Sequence, residues 1–498
     1  MKKKKKYFIW SFIAIVAATS CSDNWEEHYA PPTQLSTTLW EQINGKDELR
    51  DFAQLLQSRG YDKLLNSDQR YTVWAPIGNM DTILTTGGVM SEEEVVSQVI
   101  ENHIAMSLIS VSSAKRDSIK TLNGKLMRII GDGNQVTFNG VGIETPNIQC
   151  SNGLLHIVER QVEYNNNIWT YLRQDKELKL LCDYLYGFNR LQFDPEASTL
   201  GGVIGGEKVY SDSVFVTTNE LWSQIGRLNA ENDSYIMTAP VDRAWIEMVE
   251  EFKVYYRYPE GIYASMSDSI AQRRIVDNLV RRSDSEEDTC LHALITDSID
   301  CSNGIVLKAD TLGLDPYETF VQDIIIEGEA ETYMTKEPGN CDMANVFVVT
   351  GKNELSKNRY VKLIASSPLL KPTVTYALPN VLSCKYDIGV VFTPMNLTKN
   401  GYSSTIEQKD GRVDVELRDD YLSKTYKYTN NNIDGTRIDT VWVSRGHEFQ
   451  FCDFYPHRKE PTESKLTLKI TGTVKRSETA TMSRDLYIDC IILRPRKD

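Results

Sequence analysis

The chain has 498 residues, with 55 Lys and Arg against 69 Asp and Glu, nine Cys, and five consecutive lysines after the first Met. Such a length corresponds to about three domains of roughly 100–200 residues, each able to bury its own core. Hydrophobic residues at 41% and charged residues at 25% exclude wholesale disorder, collagen and a polytopic membrane protein, and a formal charge of −14, or −19 without the five lysines, leaves no cationic footprint for nucleic acid.

The first residues read as an address. Lys2–Lys6 form a positive stretch, Tyr7–Ala17 is apolar, and Ala18-Thr19-Ser20 precede Cys21. The apolar part is about half the roughly 20 residues needed to span a bilayer, which suits a leader. Small residues directly before a Cys resemble the lipobox of bacterial lipoproteins, in which that Cys becomes the lipidated N-terminus. The resemblance implies a signal peptide over 1–21, with Cys21 as the lipid attachment point. Residues 22–35 read as a tether, held extended by Pro31-Pro32. Asp23, Glu26 and Glu27 resemble the acidic surface-export signal of Bacteroidetes lipoproteins, which implies a cell-surface-exposed, lipid-anchored place on the outer membrane. No later stretch reaches eighteen apolar residues, so the lipid is the only anchor expected.

The body contains a repeat. Cys-Ser-Asn-Gly occurs at 150–153 and again at 301–304, each time followed by an apolar, strand-like run. Upstream, Tyr71-Thr72-Val73-Trp74-Ala75-Pro76 has its counterpart in Tyr235-Ile236-Met237-Thr238-Ala239-Pro240. Between these markers lie two segments with helical patterning, Glu92–Leu108 and Ser267–Arg281, which share the motif Val99-Ile100-Glu101-Asn102-His103 against Ile275-Val276-Asp277-Asn278-Leu279. Three markers in the same order predict two homologous domains. A strand running into Ala-Pro, a helix ending near Asn-His and a closing Ser-Asn-Gly-x-x-His strand resemble the fasciclin (FAS1) domain. The first copy, 36–164, carries the fuller match through Thr72–Pro76 and Ser151–Glu159. Ile77 and Gly78 depart from the family's opening motif. Asn102 stands where the family has the Tyr of its Tyr-His element, so receptor adhesion through that element is not implied.

The second copy, 165–322, is more degenerate: Leu279 aligns with His103 and Leu307 with His156. Only 25 residues separate Asn278 from Asn303, against 50 between Asn102 and Asn152, so its middle strands must be shortened or rebuilt. The markers have structural roles. Pro76 and Pro240 end strands by withholding an N–H. Asn-Gly at 152–153 and 303–304 predicts tight turns. His103 and His156 are expected in the core, since an apolar residue replaces each of them in the second copy.

From about Asp323 the pattern changes to alternation. Arg412–Leu417 and Lys465–Ile470 alternate strictly, and so does the series Tyr386, Ile388, Val390, Phe392. Turn clusters at Pro338–Asn340, Asn400-Gly401, Asp410-Gly411, Asn430–Asn432 and Asp434-Gly435 punctuate them. Short strands so spaced predict an all-β sandwich over 323–498. Its end strands, Ile324–Ala330 and Leu486–Leu493, resemble those of a galactose-binding-like jelly roll. The chain is therefore expected to be multidomain, two α+β FAS1-like domains followed by a β-sandwich. Candidate ligand-binding residues are Tyr455, Trp442 and Asp453, with Phe449, Phe451, Phe454, His447 and Arg458 nearby in sequence. Aromatic faces beside carboxylates suit a sugar ring, whereas Trp442, Phe449 and Phe451 equally suit a core.

Gly-x-Ser-x-Gly, P-loop, His-Glu-x-x-His and Cys-x-x-Cys motifs are absent, and the glycine-rich Thr199–Gly206 reads as a hairpin or loop. No catalytic residue, cofactor or metal is expected. The expected role is that of a non-enzymatic surface lipoprotein that binds a glycan or peptide ligand, or docks as an accessory subunit of a SusC/SusD-type nutrient uptake complex. Fasciclin-type adhesion to a cell, matrix or extracellular polymer is the alternative.

Overall fold

The computed structural model describes residues 36–78, 90–112, 116–131, 135–204, 207–261, 264–285, 291–349 and 355–497; the leader with Cys21 and the tether lie outside the described residues. The chain divides between Asn165 and Asn166 into two compact units.

In the first unit seven strands form one sheet, in the order β2-β1-β7-β6-β5-β4-β3. They are β1 Tyr71–Pro76, β2 Ile104–Ala105, β3 Arg116–Lys120, β4 Leu126–Gly131, β5 Val136–Phe138, β6 Val141–Cys150 and β7 Gly153–Val158. β1 is buried along its whole length because both of its faces are covered. Tyr71, Val73 and Ala75 pack against helices α1 (Leu39–Asn44), α2 (Arg50–Ser58) and α3 (Tyr61–Leu65), through Leu39, Phe52, Leu56 and Leu65. On the opposite face Trp74 stacks on Phe138 at 4.3 Å and shares a second core with Ile119, Met127 and Ile129 of the β3–β5 meander. Ser91 caps the helical stretch that starts at Glu92, in a reciprocal capping box with Glu94. That stretch ends at His103 and gives way to β2, so it is shorter than the pattern to Leu108 predicted.

The second unit opens with the repeat. Its four-stranded sheet has the order β11-β10-β13-β12, from β10 Tyr235–Pro240, β11 Val280–Arg282, β12 Leu291–Cys301 and β13 Gly304–Leu314. The parallel pairing of β10 with β13 repeats that of β1 with β7 residue for residue: Tyr71 lies opposite Gly153 and Tyr235 opposite Gly304, while Trp74 faces His156 and Thr238 faces Leu307. Helices α5 (Ile168–Gln174), α6 (Lys179–Gly187), α7 (Asp242–Lys253) and α8 (Ala264–Val276) cover one face of this sheet; the label α4 is kept for Glu92–Glu94. α8 stops at Val276, and the pattern to Arg281 that suggested a longer helix instead enters β11. Among the described residues no strands correspond to β3–β5, as the shorter spacing predicted. A long hairpin, β8 Asn189–Ile204 and β9 Glu207–Asn219, leaves the helical layer and pairs only with itself. Thr199–Ile204 of the glycine-rich segment belong to β8; Gly205 and Gly206 lie outside the described residues.

Two packed sheets complete this unit. One has the order β16-β17-β26-β19-β24, with β14 beside β26, and the other β15-β18-β25-β22-β23. The strands are β14 Ile324–Glu327, β15 Met334–Gly339, β16 Cys341–Phe347, β17 Arg359–Ala365, β18 Thr373–Ala377, β19 Lys385–Phe392, β22 Gly411–Asp419, β23 Lys424–Ile433, β24 Asp439–Glu448, β25 Leu466–Gly472 and β26 Leu486–Pro495, with the short pair β20 Leu397–Thr398 and β21 Gly401–Tyr402 between. Their facing sides share one core that includes Val361, Tyr386, Ile388, Val390, Val415, Leu468, Ile488 and Ile491, so the alternating segments form the sandwich they predicted. Asn430–Asn432 do not form a turn; they lie inside β23, where Asn430 takes a left-handed φ of 60° beside a register shift against β22.

The second repeat and the sandwich are packed as one unit. Tyr256, Ile270 and Val321 share a core with Leu382 and Cys452, flanked by Phe320 and Phe454. Backbone bonds tie the two parts, from Ser383 N to Tyr255 O at 2.8 Å and from Cys452 N to Arg257 O at 2.8 Å.

A recess at the end of the sandwich

The repeated motifs are structural joints. Asn152 Oδ1 accepts from Leu39 N at 2.8 Å, and its Nδ2 donates to Leu65 O and Ser67 O, both at 2.8 Å. Asn303 does the same for Ile168 N (2.9 Å), Leu228 O (2.8 Å) and Ala230 O (3.0 Å). Each Asn thus ties the first helix of its repeat and the loop before the opening strand to the closing strand. The following glycines have no room for a Cβ, which would sit 2.1 Å from Tyr71 O at Gly153 and 1.9 Å from Tyr235 O at Gly304.

Both histidines are fully buried, as expected of core residues. His103 Nδ1 meets Val99 O at 2.7 Å and its Nε2 accepts from Val162 N at 3.0 Å, so the ring is held neutral. Burial lowers its pKa to about 4, against the opposing pull of the Val99 carbonyl. His156 accepts from Asn147 N at 3.1 Å and meets Ile109 O at 2.9 Å. Cys150, Cys182, Cys452 and Cys490 are buried thiols, and burial pushes Cys150 and Cys452 up to about 11.

The three ligand candidates separate. Asp453 is fully buried, and its oxygens are taken by Tyr421 Oη (2.6 Å), Ser464 Oγ (2.7 Å), Arg458 Nη2 (2.7 Å) and Lys465 N (3.3 Å). The four donors occupy both oxygens and leave no acceptor for a ligand, which corrects its candidacy: a buried polar group needs its hydrogen bonds met from within the fold. Burial and the bond to Asp453 push the Tyr421 hydroxyl far up, so it keeps its proton, donates it to Asp453 and accepts from the Tyr455 hydroxyl. Trp442 is neither core nor part of the same site. It lies half-buried on the outer face of its sheet, across Gly389, where a Cβ would come within 3.0 Å of the indole. The Arg445 guanidinium lies 4.3 Å and that of Arg494 5.5 Å from its ring centre. Phe449 is core. His447 is wedged between Tyr426 and Phe449, and burial lowers its pKa.

Tyr455 does line a recess. The loops after β18 and after β24 meet at one end of the sandwich and enclose about 330 Å³ among Tyr333, Asn380, Phe454, Tyr455, Arg458 and Lys459. Asn380 turns the first loop with φ 66°, a conformation that Asn tolerates, and its N–H donates to Asp453 O at 3.0 Å. Pro379, Pro456 and Pro461 stiffen the rim. Tyr455 is fixed by its hydroxyl, 2.9 Å from that of Tyr421, and by Arg458 stacked 5.0 Å from its ring centre. The side chain of Arg458 is only 9% exposed, and its Nη1 is buried without a hydrogen-bond partner. Arg458, Lys459 and Tyr333 line the recess beside Tyr455, a mixture of cationic and aromatic side chains that suits an oxygen-rich group. Sequence reasoning named Tyr455 and Arg458 but missed Tyr333, Asn380 and Lys459, which lie on three separate segments; the closely spaced prolines are the only local signal.

A second polar cluster lies at the junction of β14, β26 and the loop before β17. Asp489 is 3% exposed and is bonded by Ser356 N at 3.1 Å. Burial raises its pKa to about 7, with Glu327 and Glu329 adding to the rise. Glu327 Oε2 and Glu329 Oε2 are buried without a partner. Among the described residues no group of three or more His, Cys, Asp or Glu is arranged to hold a metal ion, and no helix is long and apolar enough to cross a membrane.

The comparisons with known proteins agree with the first repeat. Human periostin is 24% identical over 133 residues, which cover 26% of this chain, while the chain spans 16% of the length of periostin. Among solved structures, the FAS1 domain pair of the insect cell adhesion molecule fasciclin I is similar over 54% of this chain and 97% of that one, at 14% identity and a TM-score of 0.22. The CBM35 of Cellvibrio japonicus Abf62 covers 35% of this chain and 94% of its own length at 7% identity and a TM-score of 0.20; the mannan-recognising module TmCBM27 covers 35% and 99% at 10% and 0.19. The family model described as "Fasciclin domain" matches residues 47–162, and the chain carries a fasciclin domain there.

Proposed function

We propose that this chain is a non-enzymatic binding protein. In this reading it is held at the outer-membrane surface through a lipid on Cys21, captures a glycan or peptide ligand in the sandwich recess, and serves as an accessory subunit of a SusC/SusD-type uptake complex. The leader pattern supports the address, and the fasciclin domain itself points to an adhesion or binding role. The observation that carries ligand capture is the recess of about 330 Å³ lined by Tyr333, Tyr455, Arg458 and Lys459, whose aromatic and cationic side chains suit an oxygen-rich ligand. The test is glycan-array and calorimetric binding with the chain from Ser22 onward. Tyr333→Ala and Lys459→Ala, both away from the Asp453 network, should weaken any binding at least tenfold with folding intact. Binding indifferent to both changes would remove the recess from the argument, and turnover of the bound sugar or peptide would remove the non-enzymatic reading. Co-purification of the lipidated chain with a TonB-dependent transporter tests the accessory role. Adhesion to a cell, matrix or polymer is the second reading, favoured by the fasciclin domain, and an adhesion assay with and without residues 36–164 separates the two.

A further inference from the structure

The recess at the end of the sandwich is charged unlike the rest of the chain. Acidic residues outnumber basic ones by 69 to 55 overall, yet Arg458 and Lys459 line the recess and no carboxylate does. Asp453 stands behind Arg458, fully buried and matched by its guanidinium at 2.7 Å. The Lys459 ammonium, by contrast, has no ion pair or hydrogen bond among the described residues. The Tyr333 hydroxyl and the side-chain amide of Asn380 also bond to no described residue. Three unengaged polar groups from three separate segments thus meet at one opening. Its volume of about 330 Å³ is at the small end of the roughly 300–1,000 Å³ of ligand sites, and the prolines of its rim hold the backbone in place.

We propose that the ligand is an anionic saccharide, whose carboxylate or sulfate group pairs with Lys459 while its hydroxyls bond to the Asn380 amide and the Tyr333 hydroxyl. This rests on the reading that the recess captures a ligand, and names the class of that ligand. An ammonium has three donors and no acceptor, so an anionic oxygen is its strongest partner. A neutral sugar entering the recess would strip water from Lys459 without compensating its charge. The amide of Asn380 both donates and accepts, as adjacent sugar hydroxyls do, so one side chain can satisfy two of them. An acidic peptide fits less well. Capture of a peptide by strand addition needs unpaired backbone N–H groups, and Pro379, Pro456 and Pro461 have none to give. The net charge of −14 repels anions at a distance, but that repulsion is screened beyond about 8 Å in physiological salt, whereas the contact with Lys459 is direct.

Calorimetric titration of the chain from Ser22 to Asp498 with matched oligosaccharides tests this. One arm uses oligogalacturonate and alginate fragments with their carboxyl-reduced counterparts; the other uses a sulfated galactan fragment and its desulfated counterpart. At least one acidic member should bind ten times or more tighter than its neutral counterpart, and the arm in which it does so identifies the anionic group. Lys459→Gln, which keeps a donor and removes the charge, should abolish that preference. Lys399→Gln, on the β20–β21 turn outside the recess, should leave it unchanged. Raising salt from about 50 to 500 mM should weaken the acidic member and spare the neutral one. Equal affinity for acidic and neutral members, or a preference that survives Lys459→Gln, overturns the anionic class; where that binding still falls with Tyr333→Ala, capture in the recess stands. An oligoglutamate peptide bound as tightly as the best oligosaccharide overturns the saccharide. Binding of no acidic member also overturns the proposal, and only the failure of every glycan and peptide tested removes the capture reading with it.

Discussion

Asp489→Asn should stabilise the second unit at neutral and alkaline pH. The carboxyl is 3% exposed, bonded by one backbone N–H, and close to Glu327 and Glu329, whose Oε2 atoms have no partner. Its pKa rises from 3.8 to about 7, first through burial and then through its acidic neighbours. Because the folded form holds the proton more tightly than the unfolded one, the folded chain binds more protons between pH 3.8 and about 7. Stability contributed by this group therefore falls as pH rises through that window and levels off above it. At 1.36 kcal/mol per pKa unit, the rise of about three units amounts to about 4 kcal/mol lost between the two limits. Asn keeps the acceptor for Ser356 N and removes the charge, so the variant should gain about 2–4 kcal/mol at pH 8 and little at pH 4. Urea unfolding of both proteins between pH 4 and 8 reads the difference, in which titrating groups remote from Asp489 cancel. An Asn variant less stable than wild type at pH 8, or an Asp489 titration midpoint below about 5, would refute the reasoning. Either result would mean that the ionised carboxylate has a partner, such as a bound cation, that outweighs burial.

The first unit should respond to acid in the opposite sense. His103 falls from 6.5 to about 4, so the stability of that unit declines as pH drops through this window; His103→Leu should abolish the decline yet cost about 1–3 kcal/mol by orphaning Val162 N, as thermal melts from pH 7 to 4 would show. Asn152→Ala and Asn303→Ala should each cost about 3 kcal/mol, one in each unit, because each removes two buried hydrogen bonds and one part-buried one; equal loss in both units from either change would contradict the local role. A chain ending at Gln322 uncovers Tyr256, Ile270 and Val321 and should lose cooperative unfolding of the second repeat; a sharp transition in that truncated chain would show that the repeat folds alone.

Much of the fold was legible because its rules are local. Asn-Gly needs a turn wherever it stands, Ala-Pro ends a strand through the missing N–H, and strict alternation declares a sheet with one buried face. Those rules recovered the repeat and its degeneracy, the buried histidines and the sandwich. Helix ends were read less well, since at His103 and Val276 the apolar pattern runs on into strands β2 and β11 without a break in composition.

The candidate site was legible only in part. Tyr455 and Arg458 stand in one proline-rich loop, but Tyr333 and Asn380 reach the recess from segments that only the closed sandwich brings alongside. Asp453 looked like a ligand group because its sequence neighbours are aromatic, and four donors contributed by the fold use it up. Trp442 was ambiguous by itself; Gly389 on the neighbouring strand is what lets the indole lie outside the core.

By itself, then, the sequence determined the domain types, the turns and strand ends at the repeated joints and the acidic character of the body, because each follows from a residue's own conformational and solvation preferences. Tertiary structure alone decided which polar groups are satisfied. Asp489 and Glu327 are ordinary acids until β14 pairs with β26, Arg458 is an ordinary cation until two loops close over it, and the aromatic residues of β8 and β9 form an open face only once the hairpin registers them. Satisfaction and exposure depend on neighbours remote in the chain, and no local pattern encodes them.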